Sequence, residues 1–241
     1  TKFAENESNM SSSPGPMART LKSDIPEVIE AGRVQGNSSQ MIRANDKFYK
    51  QERTAWADQD FFNVFGFQVI EGNPDHLLDE PNTVVLTEKT ARKLFGNESA
   101  VGKVIQYREK TDLMITGVIA DIPKNSHLNY EMFITMLNKS GAQNDLWLGN
   151  DYASYVKLNH ANSHETVEGK LPMYVTRHVG PQLKKYMNID LKSSVESGNM
   201  ALEYRLQPIE RIHLYSKQDY GVKSAGSIES VYFFSIKIYG V

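Results

Sequence analysis

Residues 82–103, NTVVLTEKTARKLFGNESAVGK, hold a strand, a helix and a stop, and the neighbouring segments are read outward from them. Thr83 to Leu86 is β-branched and apolar, which suits a strand. Thr87 stands where its hydroxyl can cap a helix, and Glu88 adds negative charge where the helix dipole favours it. Ala91, Leu94 and Phe95 share one helical face, and Arg92 and Lys93 fall in the last turn. Gly96 can take the left-handed conformation that ends helices. Gly102 lets the chain turn before a second apolar run, Val104 to Tyr107. Nothing in the stretch has a catalytic pattern.

Upstream, residues 2–4 read as a strand remnant, and SSSPGP at 11–16 is a turn cluster. Pro16 suits the first turn of a helix, and Met17, Leu21 and Ile25, spaced by four, predict a helix over 16–23. Pro26 limits its extension. Residues 28–34, 40–44 and 48–55 carry strand formers separated by the turn dipeptides Gly36-Asn37 and Asn45-Asp46. They predict an antiparallel hairpin set. DQDFFNVF at 58–65 predicts a short helix capped by Asp58, and 73–82 reads as a linker.

Downstream, 104–108 and 113–122 predict a second hairpin, followed by a turn at 121–126 and a strand at 131–136. Residues 138–150 read as a loop and 152–158 as a strand. Ser163 is the expected cap of a long helix running to Met187, kinked or broken by Pro172 and Pro181. Residues 201–207 read as another strand, and 212–215 end the regular part. SVYFFSIKIYGV at 230–241 is too short to span a bilayer. It reads as an edge strand, a final helix or the start of a clipped membrane helix, with Lys237 counting against the last.

The element order predicts an α+β fold. Its expected parts are a lobe of βαβ elements formed by residues 1–73 and 128–228, an inserted smaller α+β lobe at 74–127, and a possible membrane-helix start at 229–241.

The chain has 241 residues, 40% hydrophobic and 23% charged, with formal net charge −2. No basic surplus exists to neutralise phosphates, which argues against nucleic-acid binding. The absence of cysteine excludes disulfides, thiolate metal sites and cysteine nucleophiles, and mildly favours an extracytoplasmic bacterial setting. The first residue is Thr1 rather than Met, so the lack of a targeting segment is uninformative. No run of about 18 apolar residues occurs.

Candidate chemistry is sparse. His160 and His164 are four apart, but the expected cap at Ser163 leaves His160 outside the helix and argues against zinc. His178 falls on the apolar face of the long helix and reads as a packed histidine. His127 beside Ser126 makes no nucleophile–base pair by adjacency. The nucleophile elbow, the Walker loop and the dinucleotide fingerprint are absent. A hydrolase would need His127 or His213 gathered with an acid and a hydroxyl. Asp58 and Asp60 read as cap or solvated groups, and Asp219 and Glu229 are isolated. Phe61, Phe62, Phe65 and Phe67 read as core.

Several motifs in order resemble the periplasmic core domain of MacB/FtsX-like ABC transporter permeases, especially the set found in Bacteroidetes. They are PGP at 14–16 with Leu21 and IPEV at 25–28; DFFNVFGF at 60–67 with Glu71-Gly72; VLTEKTARKLFG at 85–96 with VGK at 101–103; TGV at 116–118 with DIPKNSHL at 121–128; and LQPIERIHL at 206–214. Their family positions, of structural character, are Phe61, Phe62, Phe65, Gly66, Gly72, Thr87, Ala91, Leu94, Phe95, Gly96, Gly102, Gly117, Pro123, Ser126, His127, Pro208 and His213. The resemblance implies a porter-like lobe with an inserted Sabre-like lobe, on the periplasmic side of the inner membrane between two transmembrane helices. It implies no enzyme activity and no cofactor. It further implies a cytoplasmic ABC ATPase, a periplasmic adaptor or cell-envelope partner, a dimer in the full transporter, and transmission of ATP-driven motion. An untethered periplasmic or secreted ligand-binding module is the alternative. Chain ends leaving together from one end of the domain would favour the permease.

Overall fold

The computed structural model describes residues 8–124, 126–209 and 231–239. In chain order the strands and helices are β1 (Ser8–Met10), α1 (Met17–Asp24), β2 (Val28–Asn37), β3 (Gln40–Ala44), β4 (Lys47–Gln51), β5 (Thr54–Ala57), α2 (Gln59–Phe65), β6 (Val69–Gly72), β7 (Thr83–Thr87), α3 (Glu88–Phe95), β8 (Val104–Tyr107), β9 (Thr111–Ile119), β10 (Met132–Thr135), β11 (Ala153–Leu158), α4 (Ser163–Tyr174), α5 (Gly180–Met187), α6 (Leu191–Glu196), β12 (Ala201–Pro208) and β13 (Val231–Tyr239). A π-helical turn, Val175–Val179, joins α4 to α5. The fold is α+β, as the element order predicts.

The described chain divides into two units. One takes 8–31, 144–209 and 231–239, and the other takes 32–124 and 126–143. The boundary falls within β2 and after Gln143, whereas the sequence placed the edges of the inserted lobe at 74 and 127. The difference has a physical cause. Strands β3, β4 and β5 and helix α2 precede residue 74, yet β3 pairs with β8 and carries β4 on its other edge, β5 pairs with β10, and α2 packs on β10.

In the middle unit β10 lies between β5 and β7, parallel to the first and antiparallel to the second. β9 runs parallel to β7 and shares its other edge between β8 and β6. β8 pairs β3, and β3 pairs β4 across Asn45 and Asp46, both with positive φ, as a two-residue hairpin requires. The expected single strand 48–55 is instead two. Arg53 interrupts it, its carbonyl accepting from the amides of Glu131 and Met132, so β5 joins β10. Gly36-Asn37 is not a turn either; both residues lie in β2 opposite Ala55 and Thr54. The core on α3 gathers Ala91, Leu94 and Phe95 with Ile42, Ile105, Leu113, Ile115, Met132 and Ile134, all buried.

In the other unit β13 is the central strand. β12 pairs along one edge, and β11 and β1 pair along the other, all antiparallel. Residues 231–239 therefore form a strand, not the start of a membrane helix. Among the described residues no helix is long and apolar enough to cross a membrane. Met17, Leu21, Val156, Leu171, Tyr174 and Tyr204 anchor the core.

The expected long helix is three pieces. Pro172 sits within α4, and Pro181 opens α5. Between them the amide of Gly180 donates to the carbonyl of Val175, a five-residue spacing. Proline cannot donate to the helical ladder, and the chain absorbs the mismatch as one π turn.

Candidate functional site

The motif residues are assembled chiefly by packing. Thr87 occupies the N-cap position of α3, but its hydroxyl does not reach a helix amide; it lies 3.3 Å from the Thr90 hydroxyl. Asp121 of the DIPKNSHL motif does that work, its Oδ1 accepting from the Lys89 amide at 3.0 Å. The same exchange occurs at α2. Asp58 stands at its N-cap without capping it. Its carboxylate instead accepts from the Arg33 Nε at 2.8 Å, Nη2 at 3.0 Å and amide at 3.1 Å. The Arg33 Nη1 donates to the Ala142 carbonyl at 2.8 Å, and the arginine is 3% exposed. A guanidinium this buried requires such a set of acceptors. Ser163 likewise falls inside α4 rather than at its cap, with its hydroxyl donating to Asn159 Oδ1.

The four phenylalanines form one box. Phe61 contacts Phe62, Phe65, Phe67 and Phe133 with centroids 4.9–6.0 Å apart, and the His127 ring lies 5.9 Å from that of Phe65. Gly32 admits α2 against β2, since a Cβ there would stand 2.3 Å from the Phe61 amide nitrogen. Gly72 has φ +99° and pairs with Gly117; a Cβ on it would meet the Thr116 carbonyl oxygen at 2.3 Å. Glu71 accepts from the Ser99 hydroxyl at 2.7 Å and from the Ala100 amide. Gly66 and Gly96 end α2 and α3 with positive φ, and Gly102 turns into β8. The Pro123 carbonyl accepts from the Ser126 amide, and the Ser126 hydroxyl accepts from the Leu128 amide. Pro208 ends β12 opposite Tyr232, while His213, Asp219, Glu229 and the segments 2–4 and 212–215 lie outside the described residues. Among the described residues, Phe61, Phe62 and Phe65 pack as one ring cluster, and Gly66, Gly72, Gly96 and Gly102 take positive φ.

The candidate site for an interaction lies elsewhere, in the unit formed by the chain ends. A groove of about 690 Å³ opens between α4, α5, α6 and β12, with Pro172, Val175, Leu191, Val195 and Leu202 as apolar lining and Lys184, Asp190, Lys192 and Glu196 as charged lining. Its size and its apolar character with a few charges are those of a binding cleft. Asp190 caps α6, accepting from the Ser193 amide and hydroxyl at 2.9 Å, and these bonds hold its pKa below the usual carboxylate value. Helix α6 was missed in the sequence, although Asp190 three residues before Ser193 is a cap signal.

Within the π turn His178 stacks on Trp147, with centroids 4.3 Å apart and planes at 7°. Burial pushes its pKa down, with the Arg177 charge acting in the same direction. Tyr174 is pushed up to about 12, first by burial and then by the Asp24 carboxylate, which its hydroxyl meets at 3.4 Å.

Residues 2–173 match the family model described as MacB-like periplasmic core domain. Over 111 residues the chain is 27% identical to the macrolide export ATP-binding/permease protein MacB of Aggregatibacter actinomycetemcomitans, a match covering 43% of this chain and 17% of that protein's length. A solved domain of a protein named as a permease, from Porphyromonas gingivalis, superposes with a TM-score of 0.63 at 29% identity. It covers 70% of this chain and 78% of its own. The periplasmic region of MacB from Actinobacillus actinomycetemcomitans aligns at 17% identity and a TM-score of 0.49, over 73% of this chain and 85% of its own.

Proposed function

The chain belongs to the MacB-like periplasmic core domain family, and from that premise we propose that it is the non-catalytic periplasmic domain of an inner-membrane ABC permease. In this reading it relays movement driven by a cytoplasmic ABC ATPase to a substrate, an adaptor or a cell-envelope partner. It acts within a dimeric transporter and carries no nucleotide itself. The unit holding β10 and α3 takes the Sabre-like part, and the unit holding β12 and β13 the porter-like part.

One observation carries the reading. β1 and β13 are antiparallel neighbours, with Ser8 opposite Ile238 and Met10 opposite Ile236. The start of the first strand and the end of the last therefore lie side by side at one end of one sheet. A domain looped out between two membrane segments needs that arrangement, because both connections must enter the same bilayer. The groove between α5 and α6 favours the alternative, an untethered ligand-binding module, since that reading requires a cleft.

The two are separated in the full-length protein. The sequence given has no cysteine, and with any cysteine elsewhere in the full-length protein replaced by serine, Lys110→Cys places one thiol on the exposed turn between β8 and β9. The permease reading expects this thiol to react with a membrane-impermeant maleimide in cells whose outer membrane is opened. It also expects the protein to stay in the membrane fraction after alkaline washing. A full-length protein released by that washing establishes the untethered module. Labelling only after the inner membrane is broken overturns both.

A further inference from the structure

Resting on the reading of a domain held to the bilayer at both ends, we propose that α5, the turn after it and α6 form a membrane-contact face that seats on an anionic phospholipid surface.

The first support is position within the sheet of this unit. Ala201 pairs with Tyr239, and Leu202 pairs with Ile238, the residue that faces Ser8. The junction between α6 and β12 therefore stands at the end where β1 opens and β13 closes. α4 leads toward the same end. Its Glu168 accepts from the amide of Leu206, deep in β12, whereas the later residues Pro172, Val175 and Lys184 share a groove with Leu202.

The second support is composition at that end. Tyr186 is 60% exposed, Met187 52% and Val195 50%, among the most exposed large apolar side chains described. Lys184, Lys185 and Lys192 are exposed between them, and the Lys185 Nζ lies 5.0 Å from the Tyr186 ring centroid. The acids offset part of this charge. Asp190 keeps its charge while capping α6 and attracts Lys184 and Lys192, and Glu196 lies 3.9 Å from Lys192, so Lys184, Lys185 and Lys192 outnumber the two acids and Lys185 has no acid beside it in sequence. An amphipathic aromatic ring, flexible apolar side chains and lysines within one short segment, residues 184–195, are the combination that settles at headgroup depth on anionic lipid.

The experiment uses the 241-residue chain, anchored by an N-terminal histidine tag to nickel-chelating lipid so that tethering is supplied. A polarity-sensitive fluorophore is placed at Met187→Cys, at Val195→Cys and, as a control on the other unit, at Phe48→Cys, where the native side chain is 56% exposed. On vesicles of phosphatidylethanolamine and phosphatidylglycerol at 3:1, the probes at 187 and 195 are expected to shift to the blue and the probe at 48 to stay unchanged. Pure phosphatidylcholine vesicles should give a smaller shift. Reversing Lys184, Lys185 and Lys192 to Glu should lower the seated population about tenfold or more, with an unchanged circular-dichroism spectrum and melting temperature as proof of folding.

A folded chain with no shift on anionic vesicles overturns the proposal. So does an equal shift at position 48, or a lipid-free shift that grows with protein concentration, which would assign the face to a second copy. The maleimide labelling at Lys110→Cys keeps the two levels apart. A domain labelled from the periplasmic side whose 187 probe stays in water loses this inference alone; labelling only from the cytoplasmic side removes the reading beneath it as well.

Discussion

Helices α3 and α5 are both eight residues long, and each carries two basic residues in its last turn. The fold uses them differently. α3 buries Thr90, Ala91, Leu94 and Phe95, takes a cap from Asp121 and ends at a glycine of positive φ. α5 buries Leu183, begins out of a π turn behind Pro181, and leaves Tyr186 and Met187 in solvent. α3 is explained once the core and caps are counted. α5 has apolar surface that folding does not require, and this surplus is why the interaction face is sought there and not in the motif-rich unit.

The largest expected effect tests the unit around α3. Phe61 is fully buried among four other rings. Phe61→Ala should cost about 3–5 kcal/mol, the range for deleting a buried aromatic side chain. Guanidinium unfolding followed at that unit checks it. A loss below about 1 kcal/mol would show that the box is loosely packed and that the contrast with α5 is false.

Next comes Arg33. Arg33→Ala leaves Asp58, itself partly buried, without its cation and should cost about 3 kcal/mol. The double variant Arg33→Met with Asp58→Leu removes both charges and should cost clearly less. Equal losses for the two variants would mean that the packing of the arginine stem, rather than the ion pair, holds β2 to α2.

The sequence shows α3 well because its signals are local. Apolar spacing, last-turn cations and Gly96 all lie within the helix and its first flanking residues. The caps of α2 and α3 were misread because their partners are distant. Asp121 reaches Lys89 from 32 residues away, and Asp58 is taken by Arg33 from 25 residues before it. Pro172 and Pro181 announced an interruption, but proline spacing does not distinguish a kink from a π turn; that depends on which carbonyl Gly180 finds. Tail residues 231–239 are apolar under either a strand or a membrane-helix reading, and only β12, β11 and β1 on its two edges select the strand. The candidate face on α5 was the least legible. Its significance comes from the β12–β13 register, which no local pattern encodes.

A smaller effect of opposite sign is expected in α4. Gly169 is exposed inside the helix, and a Cβ there meets nothing within 4 Å. Gly169→Ala should stabilise its unit by about 0.5–1 kcal/mol through helix propensity and a less flexible unfolded chain. A neutral or negative result in thermal melts would show that the π-turn region depends on flexibility at 169.

The smallest effect is a pH dependence confined to the unit that carries α5. His178 stacks on Trp147, and its Nε2 is buried without a hydrogen-bond partner among the described residues. Burial lowers its pKa from 6.5; Arg177 lowers it further, while Asp24 and Asp145 oppose the shift. The sign follows from proton counts. Below the ordinary histidine pKa the unfolded chain binds a proton that the folded chain resists, so acidification favours unfolding. The stability associated with a neutral His178 is full above pH 6.5 and falls as pH drops toward its lowered folded value. His178→Phe keeps a flat ring against Trp147 and removes the titration, so its melting temperature should fall less between pH 7 and pH 5 than that of the native chain. Trp147 gives a second readout in a Trp56→Phe background, because a neighbouring imidazolium quenches indole fluorescence. If the native chain and His178→Phe lose the same melting temperature over that interval, the titrating group is not His178 and the stack is a packing contact alone.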